Sequence, residues 1–207
     1  MSAQLFADDI LFLQRLLKAQ GLYAGDLDGV WGPKTEAGQN AFETQSAEIA
    51  AALGTFDLRS EKNIATLLLK TQRAARTAMK ALGNGALGAG VTVRILSGTR
   101  TYAEQNALYK QGRFGNPGPV VTKARGGQSN HNFGIAWDIG IFDQGAYLPE
   151  SPLYKQAGPV VLAATLGVEW GGNWVTIVDQ PHYQLVTGMK ISEVQKRFES
   201  GEPFVPQ

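Results

Sequence analysis

The two histidines of the 207-residue chain lie in short polar motifs that also carry a carboxylate. His131 stands seven residues before Asp138, and His182 stands three residues after Asp179. Zinc takes imidazole nitrogen and carboxylate oxygen as ligands, and a catalytic zinc site has three protein ligands and a fourth position for water. His131, Asp138 and His182 fit that count and leave Asp179 to act as a base. The pattern predicts a metallohydrolase.

The residues around the two motifs help to decide between a metal site and histidines that lie near acidic residues by chance. A lone histidine is more often a hydrogen-bonded surface or core group than a ligand. Gly134 and Ala136 are small, as a crowded metal-binding turn requires, and Trp137 and Ile139 alternate with Asp138 as in a strand. Ligand types by themselves leave both interpretations open, because short motif matches include false positives.

The composition argues against several classes of partner. Lysine and arginine total 19 against 18 aspartates and glutamates, and the formal net charge is +1. We therefore expect no nucleic-acid partner and no polybasic contact with a membrane. The chain has no cysteine, so neither disulfides nor thiolate ligands contribute. No apolar run reaches about 18 residues and the N-terminus lacks a signal-peptide pattern, so we expect neither an integral membrane segment nor ordinary export.

Residues 1–53 are predicted to form a small helical unit of their own. Apolar residues recur at helical spacing after Asp8 and Asp9, which can cap a helix N-terminus. After a glycine-rich loop, Pro33 opens a second helix. The alanine-rich end of that helix gives way to Gly54, and a second domain is expected over residues 54–207.

The longer C-terminal part alternates helical and strand signals. Asp57 can cap a single helix whose apolar stripe covers residues 64–82. The segment 91–96 alternates apolar and polar residues as a strand does. Further strands around 136–142 and 181–186 would bring the two histidine motifs together.

Two local features bear on the chemistry of the expected site. Thr101 and Glu104 form a capping box that starts a helix, which places Arg100 at a strand-to-helix turn. Such a turn can direct a side chain into a cleft, although a surface ion pair is the ordinary role of an arginine. Asp179 and His182 would lie on opposite faces of a regular strand, so that a shared site requires a bend near Pro181.

The histidine motifs resemble those of a known family. The pattern S-x-H-x-x-G-x-A-x-D runs from Ser129 to Asp138, and D-x-P-H-Y runs from Asp179 to Tyr183. Together they resemble the zinc D,D-carboxypeptidase and L-alanyl-D-glutamate endopeptidase family, the VanY-like branch of the LAS metallopeptidases. The segment 166–174 looks most like the endopeptidase branch found in phage endolysins and bacterial wall hydrolases. The resemblance implies an α+β fold, with a small antiparallel sheet and flanking helices, and one zinc ion.

The resemblance also implies roles for individual residues. It makes His131, Asp138 and His182 the zinc ligands and Asp179 the base. Arg100 matches the pattern S-G-x-R-[ST], in which the arginine stabilises the charge that develops on the substrate carbonyl. Glu169 is a rival base, and its alternative role is to hold a ligand histidine by a hydrogen bond. The expected substrate contacts are Gln105, Ser129, Trp170 and Trp174.

A second resemblance concerns the N-terminal unit. The residues from Leu13 to Thr35, with Asp28-Gly29 and Trp31-Gly32, resemble the three-helix peptidoglycan-binding domain. This implies a wall-anchoring module with Tyr23, Asp28 and Trp31 as contact residues. The same three residues could instead hold the loop together.

These features lead to one principal expectation and two alternatives. We expect a monomeric zinc peptidase that hydrolyses the stem peptide of bacterial peptidoglycan at the L-alanyl-D-glutamate bond. The nearest alternative is a D-alanyl-D-alanine carboxypeptidase, and the alternative of another class is a non-catalytic wall-binding protein with a structural zinc site. The lack of a signal peptide fits a phage endolysin that stays in the host cytoplasm until its release to the periplasmic or extracellular wall.

Overall fold

The computed structural model describes residues 3–83 and 85–205. The described residues form seven α-helices: α1 (Ala3–Ala19), α2 (Pro33–Leu53), α3 (Leu58–Ile64), α4 (Leu69–Leu82), α5 (Tyr102–Lys110), α6 (Leu153–Ala164) and α7 (Ile191–Ser200). They also form five strands: β1 (Val91–Ser97), β2 (Ala136–Asp143), β3 (Ala146–Tyr147), β4 (Val168–Trp170) and β5 (His182–Leu185). Short 3₁₀ helices cover Asn130–Phe133 and Gly171–Asn173. Within the described residues, no helix has both the length and the apolar content that a membrane span needs.

The chain divides into two compact units that each combine distant segments. The first unit comprises Met1–Thr44, Arg100–Gly134 and Thr187–Gln207. The second comprises Gln45–Thr99 and Ile135–Val186.

The second unit contains the sheet, and all of its strand pairs are antiparallel. The strand order is β1-β2-β5-β4, and β3 pairs with the end of β2. Helix α6 packs against α4 and β4. The α+β fold with a small antiparallel sheet and flanking helices is therefore confirmed.

An aromatic pair fixes the two central strands of this sheet. Trp137 of β2 stands opposite Tyr183 of β5, and their fully buried rings stack with centroids 5.8 Å apart. Successive side chains of a strand point to opposite faces. Burial of Trp137 and Tyr183 on one face therefore directs Asp138 and His182 to the other.

One buried side chain, Gln14 of α1, orders the loop between α1 and α2 in the first unit. Its amide nitrogen donates to the Asp28 carboxylate at 2.8 Å and to the Val30 carbonyl at 3.1 Å, and its oxygen accepts from the Gly29 amide at 2.9 Å. The hydroxyl of Tyr23 also lies within hydrogen-bond distance of the Gln14 amide, at 3.2 Å. These bonds order the loop between α1 and α2.

A cluster of aromatic rings also belongs to the first unit. Phe198 of α7 contacts Phe12 of α1 with ring centroids 5.5 Å apart and Phe133 with centroids 5.3 Å apart. Phe204 contacts both Phe133 and Phe198. The 3₁₀ helix Asn130–Phe133 is thus held by rings from distant parts of the chain.

Three expectations about the helices differ from the structure. Helix α1 begins at Ala3, so that Asp8 and Asp9 lie inside it and do not cap it. Residues 3–53 contain two α-helices, not the three that the resemblance implied, and residues 20–32 form a loop held by Gln14. The single helix predicted after Asp57 is divided into α3 and α4.

The division between α3 and α4 has a local cause. The Thr66 hydroxyl donates to the carbonyl of Asn63 and accepts from the amide of Thr99. The Asn63 side chain donates to the carbonyl of Ile95. These bonds tie the end of α3 to β1 and to the residues that follow it, in competition with continuation of the helix.

We expect Gln14→Ala to lower the free energy of unfolding by about 2 kcal/mol, because it leaves buried polar groups without a partner. Gln39→Ala is the matched control, since Gln39 forms an exposed bond to Glu43 within α2, and a change below about 0.5 kcal/mol is expected there. Urea unfolding followed by circular dichroism measures both. Equal effects of the two substitutions would contradict the role given to Gln14.

Candidate metal centre

Asp138 and His182 are brought together by the pairing of β2 with β5. The two residues stand directly opposite each other in the antiparallel register. The Nδ1 atom of His182 lies 3.0 Å from Oδ1 of Asp138. The His182 side chain is 8% exposed and that of Asp138 is 24% exposed.

His131 is supplied by the 3₁₀ helix Asn130–Phe133. Gly134 ends this helix in the left-handed region, with φ of 70°, a conformation that costs glycine little. The Asn132 side chain donates to the carbonyl of Arg100 at 2.9 Å, and the Arg100 amide donates to the carbonyl of His131 at 3.0 Å. The backbone of Arg100 is thereby fixed beside His131.

The three expected ligands form a group that can hold a metal ion. One ligand atom from each of His131, Asp138 and His182 lies within 4.8 Å of the other two. Tetrahedral bonds of about 2.1 Å place ligand atoms about 3.4 Å apart, close to the 3.0 Å that separates Asp138 from His182. Both histidines are buried. Two nitrogen donors and one carboxylate, largely shielded from solvent, fit a divalent transition metal.

The tautomer of His182 follows from a chain of hydrogen bonds behind it. Gln184 donates through its amide nitrogen to the carboxylate of Glu169. The amide oxygen of Gln184 therefore faces His182, and it lies 2.9 Å from Nε2. Because that oxygen can only accept, Nε2 carries the proton. The lone pair of Nδ1 is left on the side of Asp138, where a metal would bind.

Gln184 was not among the site residues predicted from the sequence. It stands two residues after His182 on the same strand, so the two side chains share a face. It also stands opposite Glu169 in the β4–β5 register. Strand periodicity could have identified Gln184, but its link to Glu169 depends on that register. Glu169 thus supports a ligand histidine through Gln184.

The protonation of His182 is controlled by its neighbours. Burial alone lowers the pKa of the imidazole. The hydrogen bond that Nδ1 of the protonated ring donates to Asp138 and the negative charge of Asp138, with contributions from Gln184 and Asp179, raise the pKa by more. The net effect is a pKa above the ordinary value of 6.5.

Asp179 is held in a turn directly before β5. Its amide donates to the carbonyl of Gly171 at 3.0 Å, and its carbonyl accepts from the amide of His182 at 3.2 Å. A side chain at position 171 would collide with the carbonyl oxygen of Asp179. The bend expected near Pro181 is present, since β5 begins only at His182. The negative charge of Asp179 also contributes to the raised pKa of His182.

The expected substrate contacts lie in different environments. Trp170 is 6% exposed, its indole nitrogen donates to the Gln180 carbonyl at 2.7 Å, and its ring packs on Gly158 of α6. Trp174 is half-buried, and its ring centroid lies 5.1 Å from that of His182. Trp174 therefore borders the metal centre, whereas Trp170 belongs to the packing of α6.

The other two substrate candidates lie in the first unit. Gln105 is 1% exposed and donates to the carbonyl of Ala124 at 2.9 Å, so its amide group holds the loop after α5. Ser129 is half-buried and precedes the 3₁₀ helix that carries His131, where its carbonyl accepts from the Asn132 amide.

The candidate wall-contact residues differ in exposure. Tyr23 is 6% exposed and its hydroxyl donates to the carbonyl of Asp26. The carboxylate of Asp28 accepts hydrogen bonds from the Val30 amide and the Gln14 side chain. These bonds lower the pKa of the Asp28 carboxyl, and the bond from Val30 has the larger effect. Trp31 is 49% exposed. Tyr23 and Asp28 thus hold the loop, and Trp31 presents a ring to solvent.

Comparison with known proteins agrees with this site. The M15 peptidase family model described as D-alanyl-D-alanine carboxypeptidase matches residues 122–185, the segment that contains all three ligands. The peptidoglycan L-alanyl-D-glutamate endopeptidase CwlK of Bacillus subtilis (strain 168) is 40% identical over 114 residues, which are 51% of this chain and 68% of that protein. The crystal structure of the Serratia marcescens L-Ala D-Glu endopeptidase ChiX matches with a TM-score of 0.50 and 28% identity, over 64% of this chain and 90% of that chain.

The His–Asp–His group, with Asp138 and His182 on the antiparallel sheet and His131 on the 3₁₀ helix, can hold a metal ion, as the site of a metallopeptidase requires. The chain belongs to the M15 family of peptidases.

The hydrogen bonds behind His182 lead to a first prediction for this site. We expect Gln184→Leu to weaken metal binding about 10- to 100-fold, because the imidazole loses the acceptor that fixes its tautomer. Titration calorimetry with Zn²⁺ measures the affinity. Gln156→Leu, at an exposed position of α6, is the control and is expected to bind as the unmutated protein does. Unchanged affinity in Gln184→Leu would contradict the role of this bond.

The raised pKa of His182 leads to a second prediction. A proton and a metal compete for Nδ1, so the metal affinity is expected to be constant above the pKa of His182 and to fall about tenfold per pH unit below it. Because this pKa is raised, the loss begins at a higher pH than for an ordinary imidazole. Chelator competition between about pH 8 and pH 5 measures the effect. A metal affinity that stays constant over this range would contradict the assignment of His182 as a ligand.

Proposed function

We propose that this protein is a zinc-dependent endopeptidase that hydrolyses the L-alanyl-D-glutamate bond of the peptidoglycan stem peptide. CwlK and ChiX, both described as endopeptidases for this bond, support the choice of substrate. The observation that carries the proposal is the His–Asp–His group that can hold a metal ion, together with the backbone hydrogen bond that links Asp179 to His182. Three protein ligands would leave a zinc ion one open position, and the Asp179 carboxylate is the proposed base beside it.

Zinc is the metal that the donor set favours. Two imidazole nitrogens and one carboxylate oxygen are a common ligand set of catalytic zinc sites. Zinc held by His131, Asp138 and His182 would polarise the scissile carbonyl and lower the pKa of a bound water.

Asp179 is the proposed general base and general acid. Its carboxylate would accept the proton of the attacking water and return it to the leaving amide nitrogen. Two backbone hydrogen bonds, to Gly171 and from His182, restrain the turn that carries it. Glu169 is less suited to this role, because its carboxylate accepts a hydrogen bond from Gln184.

Arg100 is the proposed electrostatic partner of the reacting carbonyl. Its backbone is fixed to that of His131 by a 3.0 Å hydrogen bond, and the side chain is half-buried. A guanidinium held close to the metal centre would stabilise the negative charge that develops on the carbonyl oxygen.

The number of ligands separates this function from that of a structural zinc site. Structural zinc sites close all four positions with protein atoms. The group found among the described residues has three members, His131, Asp138 and His182. This favours catalysis over the role of a non-catalytic wall-binding protein.

The N-terminal helices are proposed to assist at the wall. Trp31 and Val30 expose apolar side chains from the ordered loop, 49% and 62% of their surface respectively. We propose that residues 1–53 contact peptidoglycan through this loop. We also propose that the protein acts on the wall as a monomer. It would reach the wall after release from the cytoplasm of a host cell.

Digestion of purified peptidoglycan tests the proposed reaction. We expect the zinc-loaded protein to produce new N-terminal D-glutamate ends, and Asp179→Asn to lower kcat about 10²- to 10⁴-fold with zinc still bound, because the proton acceptor is lost. Mass spectrometry of the fragments and metal analysis give the two readouts. Asp143→Asn, at an exposed position at the end of β2, is the matched control and is expected to remain active.

Other outcomes identify the competing functions. Release of terminal D-alanine alone would identify a carboxypeptidase, as the description of the matching family model favours. Full activity of zinc-bound Asp179→Asn would refute the proposed base. No cleavage by the unmutated protein would favour a wall-binding role.

A further inference from the structure

A cavity of about 510 Å³ lies within the second unit, and the proposed base Asp179 is one of its lining residues. Two short segments line it: residues 149–152, 154 and 155 before and within the first turn of α6, and residues 178–181 before β5. Its volume lies within the range of about 300–1,000 Å³ that is usual for small-ligand sites. A short peptide segment would fill it, whereas a folded partner would not.

The cavity and the proposed catalytic site share one residue, Asp179. If Asp179 returns the proton to the leaving nitrogen, the part of the substrate next to that nitrogen must lie against Asp179. The cavity is therefore positioned for the amine side of the scissile bond. In an L-alanyl-D-glutamate bond, that side is the D-glutamyl residue.

Three charged side chains line the cavity. Lys155 is the cationic side chain among the lining residues, and Glu150 and Asp179 are the anionic ones. Lys155 lies in the first turn of α6, where the positive end of the helix dipole also favours an anion. This end of the cavity is suited to a carboxylate.

The proposed substrate carries such a group at the required place. A D-glutamyl residue has two carboxyl groups, and continuation of the peptide through one of them leaves the other free. We infer that the cavity binds the D-glutamyl residue on the amine side of the scissile bond, and that the Lys155 ammonium pairs with its free carboxylate. This inference rests on the proposed function and adds a specificity determinant to it.

Lys155 has no place in the proposed chemistry, which separates its role from those of the metal ligands and Asp179. Its side chain is exposed, so that its replacement is compatible with folding. Loss of the ion pair should weaken substrate binding and leave the chemical step unchanged. The expected signature is a higher KM at constant kcat.

A matched pair of substrates tests this directly. Both are synthetic peptides with an L-alanyl-D-glutamate bond; in one the free carboxyl of the D-glutamyl residue is a carboxylate, and in the other it is a carboxamide. We expect the unmutated, zinc-loaded protein to prefer the carboxylate peptide about tenfold in kcat/KM, as a charge-assisted hydrogen bond provides. Lys155→Met is expected to lose this preference through a KM about tenfold higher for the carboxylate peptide alone.

Two further variants serve as controls. Glu150→Gln removes the anionic side chain of the cavity that has no role in the proposed chemistry, and this variant is expected to retain the preference for the carboxylate peptide. Lys80→Met, at an exposed position of α4 outside the cavity, is expected to behave as the unmutated protein does. Circular dichroism and zinc content confirm that each variant is folded and loaded.

The outcomes separate this inference from the proposed function. An equal preference in Lys155→Met and the unmutated protein, or an equal loss on both peptides, would overturn the role of Lys155 and leave the endopeptidase intact. If the unmutated protein cleaves neither peptide at this bond, the proposed function fails first and the inference fails with it.

Discussion

The antiparallel register that sets Asp138 opposite His182 is the constraint on which the metal centre depends. A slip of one residue would turn every side chain of a strand to the other face and separate the two ligands. The stacked rings of Trp137 and Tyr183 oppose such a slip, because it would move the ring on the slipped strand out of the core and break the stack. The residues adjacent to the ligands thus fix the site by hydrophobic packing.

Hydrogen bonds orient the two histidines that the strand register and the 3₁₀ helix position. The chain from Glu169 through Gln184 to His182 fixes the orientation and tautomer of one ligand. The bonds between Arg100 and the 130–133 segment hold the backbone that carries His131. A metal binds well to such a site because little conformational freedom remains to be lost on binding.

The sequence predicted the sheet and the grouping of the three candidate ligands because both depend on local signals. Residue type and short spacing identify His131, Asp138 and His182, and alternation identifies β1 and β2. Gln184 was missed because its function depends on pairing across strands, which distant residues determine. The continuous helix predicted after Asp57 was wrong for a similar reason, since hydrogen bonds of Asn63 and Thr66 to distant residues interrupt it. The prediction that Tyr23 and Asp28 contact the wall remains untested, but Gln14 engages both in holding the loop.

A crystal structure of the zinc-loaded protein, with anomalous data collected on both sides of the zinc absorption edge, would test this account most directly. We expect one zinc ion held by His131, by Asp138 and by Nδ1 of His182, with the fourth position open to water and the Asp179 carboxylate within hydrogen-bond reach of it. A fourth protein ligand would make the zinc structural, and an ion bound elsewhere would show that the three residues do not form the metal centre.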